Sequence, residues 1–368
     1  MAARIVALNL LFVVSLGSLA RAGSPVEIAA GTGLQAPKQP QVAFSKDGAI
    51  HLVYGSGDSA FCSTSTDGGA TFSKPEKAFD CPNMSLGARR GPRIATSGQT
   101  VVITAIGGAA GKGRDGDILA WRRSSGGQWT GPVRVNDVAD SAREGLHAMA
   151  SGPDGTLWCC WLDLRVKGAQ VYIASSKDAG ATWSENRLVY RSPEGSVCPC
   201  CHPSIVVGAD GRPHILFRND VNGDRDMYVT SGDGEGNYGP AVKLGDSGWT
   251  INRCPMDGGM LAIDSNGRMY TAWRRKDDAF LTNNGREQHL GRGEQPWVAG
   301  LIDGPVAVWI EKDDGNLFVL HPHAKSPAVL AEIARDPVVV SLPDGKKAFA
   351  AWEVVVDKDR RIVGQIIQ

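Results

Sequence analysis

The feature that most constrains this chain is a short motif that occurs twice, at residues 65–72 and 176–183. Both copies read Ser-x-Asp-x-Gly-x-Thr-aromatic, with Asp67 and Asp178 at the third position. Such an aspartate accepts hydrogen bonds from backbone N–H groups of a tight turn, and the glycine adopts a positive φ. The motif predicts that the chain is built from repeated units with tight turns.

Two incomplete copies continue the series. One ends at Trp129 and lacks the aspartate, while the other keeps Asp233 and ends at Tyr238. The terminal aromatic residues therefore recur at intervals of about 55 residues, close to the size of one four-stranded unit of a β-propeller.

A second pattern covers the whole chain: a short apolar strand, a turn of the Asp-Gly type and a second apolar strand that ends near an aromatic residue. This pattern is typical of β-hairpins. It occurs at residues 40–54, 92–106, 147–161, 203–217, 257–273, 296–309 and 337–352.

The last unit lacks a fourth strand, and residues 25–29 resemble the fourth strand of an earlier unit. We therefore predict an all-β propeller of seven four-stranded blades in which the N-terminal strand closes the last blade and removes an open sheet edge. Since two of the units are short, six blades are the alternative.

The first 22 residues have the order of a secretory signal peptide. Arg4 precedes an apolar stretch, and Ala20-Arg21-Ala22 forms a small-x-small cleavage site. The apolar stretch is shorter than the roughly 20 residues that a membrane span requires. We expect cleavage after Ala22, export to the periplasm or the cell exterior, and a single propeller domain over residues 23–368.

The charges of the chain are balanced, with 39 Lys plus Arg against 39 Asp plus Glu. No basic block stands out, which argues against nucleic acid and against an anionic membrane as partners. No later segment is apolar enough for membrane insertion. The expected partner is a small molecule, a glycan or a metal ion.

With its motifs around Asp67 and Asp178, the chain resembles the sialidase-like superfamily of Asp-box (BNR) propellers. The resemblance implies that the Asp boxes lie between the third and fourth strands, away from the ligand pocket, so they indicate fold rather than chemistry. It also implies an activity to consider, that of an exo-sialidase or a related glycoside hydrolase. In that family three arginines bind the substrate carboxylate, a Tyr–Glu pair is the nucleophile and an aspartate is the acid/base.

These roles match the chain only in part. The last tyrosine is Tyr270, within a predicted second strand, whereas the nucleophile of the family comes late in the chain. The catalytic residues therefore stay unassigned. The candidates from the resemblance are Arg93, Arg218, Arg274, Asp163 and Asp220.

The eight cysteines all follow the signal peptide, and six of them gather on neighbouring units. In a propeller, loops that enter the first strand and leave the second share one face, the usual ligand site. Exported proteins form disulfides, so bridges among these cysteines are one interpretation. The other is a soft-metal site, because thiolate, thioether and imidazole ligands together favour copper(I) or zinc.

The metal hypothesis prefers copper to zinc and has as its ligands Cys160, Cys198, Cys200, Cys201, His202, Cys254 and Met256. Cys62 and Cys81 stand apart, and we predict a disulfide between them within the first blade. Charged loop residues on the ligand face are candidate ligand-binding residues: Arg143, His147, Arg165, Arg253 and Glu294. The sequence thus favours an exported propeller that binds a ligand at a Cys/His-rich face. A glycoside hydrolase and a non-catalytic scaffold stapled by disulfides are the alternatives.

Overall fold

The computed structural model describes residues 24–234, 236–283 and 285–368. Within these ranges the chain forms β-strands joined by turns, with one 3-10 turn at Gly33–Gln35. The predicted signal peptide lies outside the described residues. None of the described helical segments is long and apolar enough to cross a membrane.

Five sheets contain four antiparallel strands each, and strands that follow one another in the chain are neighbours in the sheet. They follow the N-terminal strand β1 (Val26–Thr32). The first sheet comprises β2 (Lys38–Phe44), β3 (Ile50–Ser56), β4 (Ser59–Ser65) and β5 (Glu76–Asp80). The second comprises β6 (Arg93–Ser97), β7 (Thr100–Gly107), β8 (Asp117–Arg123) and β9 (Thr130–Arg134). The third comprises β10 (His147–Ser151), β11 (Leu157–Asp163), β12 (Gln170–Ser176) and β13 (Arg187–Tyr190). The fourth comprises β14 (Ser204–Val207), β15 (Pro213–Arg218), β16 (Met227–Ser231) and β17 (Val242–Lys243). The fifth comprises β18 (Met260–Ile263), β19 (Met269–Arg275), β20 (Asp278–Asn283) and β21 (Arg286–Arg292).

The remaining strands form one sheet of seven, which contains both ends of the described chain. Its other members are β22 (Glu294–Leu301), β23 (Gly304–Ile310), β24 (Gly315–Leu320), β25 (Ala328–Ser341), β26 (Ala348–Val356) and β27 (Asp359–Ile367). The first half of β25 pairs with β24, and the second half, from Arg335 onward, pairs with β26. At the far edge β1 pairs with β27, as the sequence predicted.

The first strands of the units surround a central axis. Strand β2 contacts β6, and the contacts continue through β10, β14, β18 and β22 to β25, which contacts β2. All of these strands line one cavity of about 240 Å³, which we call the axial cavity. Antiparallel sheets arranged in this way around an axis form a β-propeller.

Aromatic residues fill the space between neighbouring sheets. Trp161, Phe217, Trp309 and Trp352 lie in second strands and are at most 1% exposed. Burial of each such side chain contributes about 1.5–3 kcal/mol of stability. Because these residues recur at the same place in successive units, the sequence pattern was able to predict the hairpins.

The two complete Asp boxes lie between third and fourth strands, as the resemblance implied, and they form the same hydrogen bonds. The backbone N–H of Thr71 donates to Asp67 Oδ1 over 2.9 Å, and Thr182 donates to Asp178 over the same distance. The threonine hydroxyls donate to the second carboxylate oxygen, and these bonds lower the pKa of both aspartates to about 2. The aromatic residue of the first box, Phe72, packs against Phe349 of a neighbouring sheet.

Candidate functional site

Three cysteines bring their sulfur atoms together just before β14, and we call Cys198, Cys200 and Cys201 the thiol triad. Sγ of Cys198 lies 3.5 Å from that of Cys200 and 3.6 Å from that of Cys201, and the last two are 4.0 Å apart. All three side chains are buried, and no disulfide joins them. Among the described residues, this is the one close group of three Cys, His, Asp or Glu ligand atoms.

The loop that carries the triad is fixed to the ends of neighbouring strands. Val197 donates its N–H to Ala169 O over 2.9 Å, and Cys198 donates its N–H to Arg218 O over 3.0 Å. Prolines at 199 and 203 restrict the backbone on either side of the adjacent cysteines. The three sulfur atoms therefore meet because the loop is held at its start and is short.

Positive charge lies beside the triad. Arg225 Nη1 is 3.5 Å from Cys198 Sγ, and Asp220 holds the same guanidinium at 3.3 Å. The close sulfur contacts with Cys200 and Cys201 lower the pKa of Cys198. Burial raises the pKa of Cys201 to about 12. Cys198 is therefore the first of the three to lose its proton.

The other predicted metal ligands do not join the triad. Cys160 is buried in an apolar cluster with Ile173 and Phe217, because it lies in β11, where both faces pack against other sheets. Cys254 and Met256 are exposed. His202 points into the axial cavity instead.

The predicted disulfide between Cys62 and Cys81 is not formed, since both thiols are free. The register of β4 and β5 explains the difference. Cys62 lies opposite Glu76, whereas the N–H of Cys81 donates to Asp58 O, and Asp58 lies four residues before Cys62, just ahead of β4. Four residues of strand correspond to about 13 Å, and a disulfide requires Cα atoms less than about 7 Å apart.

A second polar region lies where the loops that precede first strands converge. Its cavity has a volume of about 380 Å³, and we call it the mouth cavity. The charged residues that line it come from several units: Lys38, Arg89, Asp257, Arg274, Glu294, Asp313, Arg335, Asp336 and Arg360. A small neck cavity, lined by Arg89, Trp297 and His202 among others, lies between it and the axial cavity. The ring of first strands thus leads from a charged surface to an interior channel.

Three residues of the mouth hold an unusual backbone conformation. Gln39, Gln295 and Asp336 have φ values of 60°, 55° and 47°, and each precedes a proline at a register shift in a first strand. Their N–H groups donate to Glu353 Oε1, Asp257 Oδ2 and Gln295 Oε1, respectively, over 2.6–2.8 Å. Non-glycine residues with positive φ cluster at ligand sites, where the surroundings impose the strain.

The electrostatics of the mouth differ from those of an ordinary surface. Arg89 and Asp336 are buried and 4.0 Å apart, and Arg89 lies over the ring of Trp297. Burial raises the pKa of Asp336, and it raises that of Glu353 to about 8. Two guanidinium nitrogens of Arg89 and one oxygen each of Asp336 and Asp257 have no hydrogen-bond partner among the described residues. These groups are available to a ligand.

Two arginines predicted as catalytic candidates donate hydrogen bonds to backbone carbonyls of adjoining units. Arg93 donates to the backbone carbonyls of Arg89, Gly91, Pro92 and His147. Arg218 donates to those of Asp257, Arg225 and Arg274. Both side chains are buried, and each guanidinium joins neighbouring units through these hydrogen bonds.

The remaining predicted residues divide between the mouth and the scaffold. Arg274 and Glu294 line the mouth cavity and form an ion pair of 2.7 Å. Asp163 is fully buried and accepts from Trp161 and Arg165. The others lie elsewhere: Asp220 pairs with Arg225, Arg143 donates to Asp140 O, Arg253 is exposed, and His147 is buried against Thr104.

Of the residues at the mouth, Arg274 and Glu294 were predicted as site residues, whereas Arg89 and Asp336 were not. A signal for them exists, because Gln39-Pro40, Gln295-Pro296 and Asp336-Pro337 repeat a polar residue before proline at the start of a first strand.

Sheets that surround an axial cavity define the fold as a β-propeller, and the two Asp boxes lie where the resemblance to the sialidase-like propellers implied. No protein-family model matches the chain, and no curated protein sequence matches it. Among solved structures, a protein of unknown function from Dyadobacter fermentans is 15% identical, with a TM-score of 0.58 over 94% of this chain and 99% of its own. Penicillium chrysogenum α-L-arabinanase, solved with arabinobiose, is 13% identical, with a TM-score of 0.58 over 94% and 98%. The Hadza microbial sialidase Hz136 is 14% identical, with a TM-score of 0.56 over 90% and 65%. Likeness at this level of identity shows a shared fold.

Proposed function

We propose that this chain is an exported propeller of seven four-stranded blades that binds a soft metal ion, copper(I) in preference to zinc, through the thiol triad. The blade count is supported by the closed series of first strands, and by β25, whose two halves pair with different neighbours. Export is supported by the sequence of residues 1–22.

The spacing of the three sulfur atoms carries the metal proposal. Three sulfurs that lie about 2.3 Å from one ion, in a trigonal or tetrahedral arrangement, are about 3.8–4.0 Å from one another. The observed separations of 3.5–4.0 Å are close to these values. An ion between the sulfurs would require only small shifts of the side chains.

The ligand set favours copper(I) over zinc. Structural zinc sites have four ligands, and no His, Asp or Glu ligand atom joins the triad among the described residues. Thiolates select soft ions such as copper(I). Arg225, at 3.5 Å from Cys198 Sγ, offsets part of the negative charge that three thiolates would carry.

Disulfide formation competes with metal binding at these cysteines, because exported proteins commonly form disulfides. Three thiols can form only one bridge among themselves, so an oxidised triad leaves one thiol and no metal site. Metal content and thiol count therefore separate the two states.

The test is copper analysis and a free-thiol count on protein purified from the exported fraction, followed by anaerobic copper(I) titration of Cys198→Ser. We expect copper in the purified protein and a loss of affinity in the variant above the roughly 10–100-fold that removal of an outer-shell partner causes. Cys254→Ser is the matched control, since this exposed cysteine is outside the triad, and the affinity of this variant should equal that of the wild type. Absence of copper with a bridged triad would reject the proposal.

A second candidate function is supported by the mouth cavity. Its buried Arg89 and Asp336 have unpartnered polar atoms, and burial raises the pKa of the Asp336 carboxyl. A carboxyl with a raised pKa suits a general acid in glycoside hydrolysis. The neighbours named as a sialidase and an arabinanase share the fold, so we propose a glycan or similar polar small molecule as the ligand of the mouth.

Hydrolysis of a fluorogenic sialoside and of an arabinofuranoside tests this second function. We expect turnover of one substrate that is lost in Asp336→Asn and kept in Asp220→Asn, because Asp220 does not line the mouth cavity. Absence of turnover of both substrates, together with no binding of either sugar, would argue against it.

A further inference from the structure

The axial cavity contains a pair of possible metal-ligand atoms that is separate from the thiol triad. Nε2 of His202, the residue before Pro203 and β14, lies 3.4 Å from Sδ of Met260, the first residue of β18. The His202 side chain is buried, and both residues line the axial cavity.

A hydrogen bond does not account fully for this contact. If Nε2 carries the proton and donates to Met260, the lone pair of the buried Nδ1 has no donor among the described residues. If Nδ1 carries the proton, that N–H has no acceptor, and lone pairs of nitrogen and sulfur face each other. Either tautomer leaves a buried polar atom unsatisfied, at a cost of about 1–3 kcal/mol.

The distance suits two ligands of one ion. Typical bonds of about 2.0 Å from an imidazole nitrogen and about 2.3 Å from a sulfur, with 3.4 Å between the two atoms, imply an angle of about 105° at the ion. This angle is close to tetrahedral. Imidazole and thioether are neutral ligands, and thioether selects soft ions.

The imidazole is fixed in place by the neighbouring backbone. A Cβ atom at Gly258 would lie 2.6 Å from His202 Nδ1 and 2.2 Å from His202 O. Only glycine at this position lets the ring lie against the chain. A ligand held in this way loses little freedom when it binds an ion.

We propose that His202 and Met260 form a second copper(I) contact, at the wall of the axial cavity. This inference rests on the proposed metal-binding function. His202 follows Cys201 directly, and it lines both the axial and the neck cavity, which the triad does not line. A monovalent ion suits the place, since Arg93 lines the same cavity and repels a divalent ion more strongly.

Anaerobic copper(I) titration against a chromophoric chelator, with the reduced full-length mature protein, tests the second contact. We expect two copper(I) ions per wild-type chain, and one in Met260→Leu, a change that nearly conserves volume. The matched control is Met149→Leu. Met149 lines the same cavity, but its sulfur already accepts a hydrogen bond from Thr104 Oγ1, so this variant should still bind two ions.

A variant with serine at all three triad positions separates this inference from the proposed function. It should keep one copper(I), with nitrogen and sulfur neighbours in X-ray absorption, and lose that ion when Met260→Leu is added. One ion in the wild type that is lost with the triad and unaffected by Met260→Leu would overturn the second contact alone. No ion in any of the proteins would overturn the triad proposal as well.

Discussion

The carboxyl groups of the Asp-box turns and those near the mouth cavity have pKa values that are shifted in opposite directions. Asp67 and Asp178 accept hydrogen bonds from residues at most four positions away, and these bonds lower their pKa to about 2. Behind the mouth lining, Glu353 accepts from the N–H of Gln39, 314 positions away, and burial raises its pKa to about 8. The turns can form within one unit, whereas the mouth requires the closed ring.

This difference explains why one region repeats and the other does not. A turn with its own partners can be copied from unit to unit without regard to its neighbours. A buried carboxyl that depends on other units has a different partner at each place in the ring. Divergent, partly unsatisfied groups are typical of binding sites, which is why the mouth carries a functional proposal.

Arg218→Met should give the largest effect, and it tests whether buried charge near the mouth is structural. The change leaves carbonyls of Asp257, Arg225 and Arg274 without their donor. At about 1–3 kcal/mol for each, we expect the free energy of unfolding to fall by about 5 kcal/mol in a denaturant titration. Arg274→Met, at a side chain that is partly exposed, should lower it much less. Equal stability of the two variants would contradict the structural role.

A pH titration of stability should give the next largest effect, at Glu353. Below about pH 4.5 both folded and unfolded chains carry this proton, and between about 4.5 and 8 only the folded chain does. The contribution of Glu353 to stability is therefore lost as the pH rises, by about 1.4 kcal/mol per pH unit.

Glu353→Gln removes this titration and keeps an acceptor for the N–H of Gln39. The variant should gain about 3 kcal/mol relative to the wild type between about pH 5.5 and about pH 8. The measurement is the free energy of unfolding of both proteins across that range. Parallel pH profiles would show that Glu353 is ionised in the folded protein.

Asp178→Ala should give the smallest effect, because its hydrogen bonds lie in an exposed turn. The expected loss is about 1 kcal/mol in the free energy of unfolding, the net value of such bonds in water. Lys177→Ala, next to it and exposed, should change stability by less than about 0.5 kcal/mol. A loss at Asp178 as large as that at Arg218 would remove the contrast between the two regions.

The sequence predicted the parts of the structure that depend on local patterns. The hairpins, the pairing of the N-terminal strand with the last strand and the meeting of Cys198, Cys200 and Cys201 follow from turn residues, alternation and closeness in the chain. The destinations of long side chains could not be predicted in the same way. Arg93 and Arg218 have the residue type and position of substrate ligands, yet the backbone carbonyls of adjoining units take up their N–H groups.

The predictions for Cys62, Cys81 and Cys160 failed for a similar reason. Whether Cys62 can reach Cys81 depends on the register of two strands, and a shift of a few residues separates them beyond bonding distance. The apolar cluster around Cys160 is assembled from two units. The order of residues in the chain contains neither of these relations directly.

Strand β25 has a mechanical consequence for the place where the chain ends meet. It crosses from one blade-like unit to the next without a loop, so no flexible segment can absorb a displacement between the two units. A force that pulls β1 from β27 is therefore transmitted through β26 and β25 into β24. These strands should exchange their amide hydrogens as one cooperative block, while each four-stranded sheet elsewhere opens on its own.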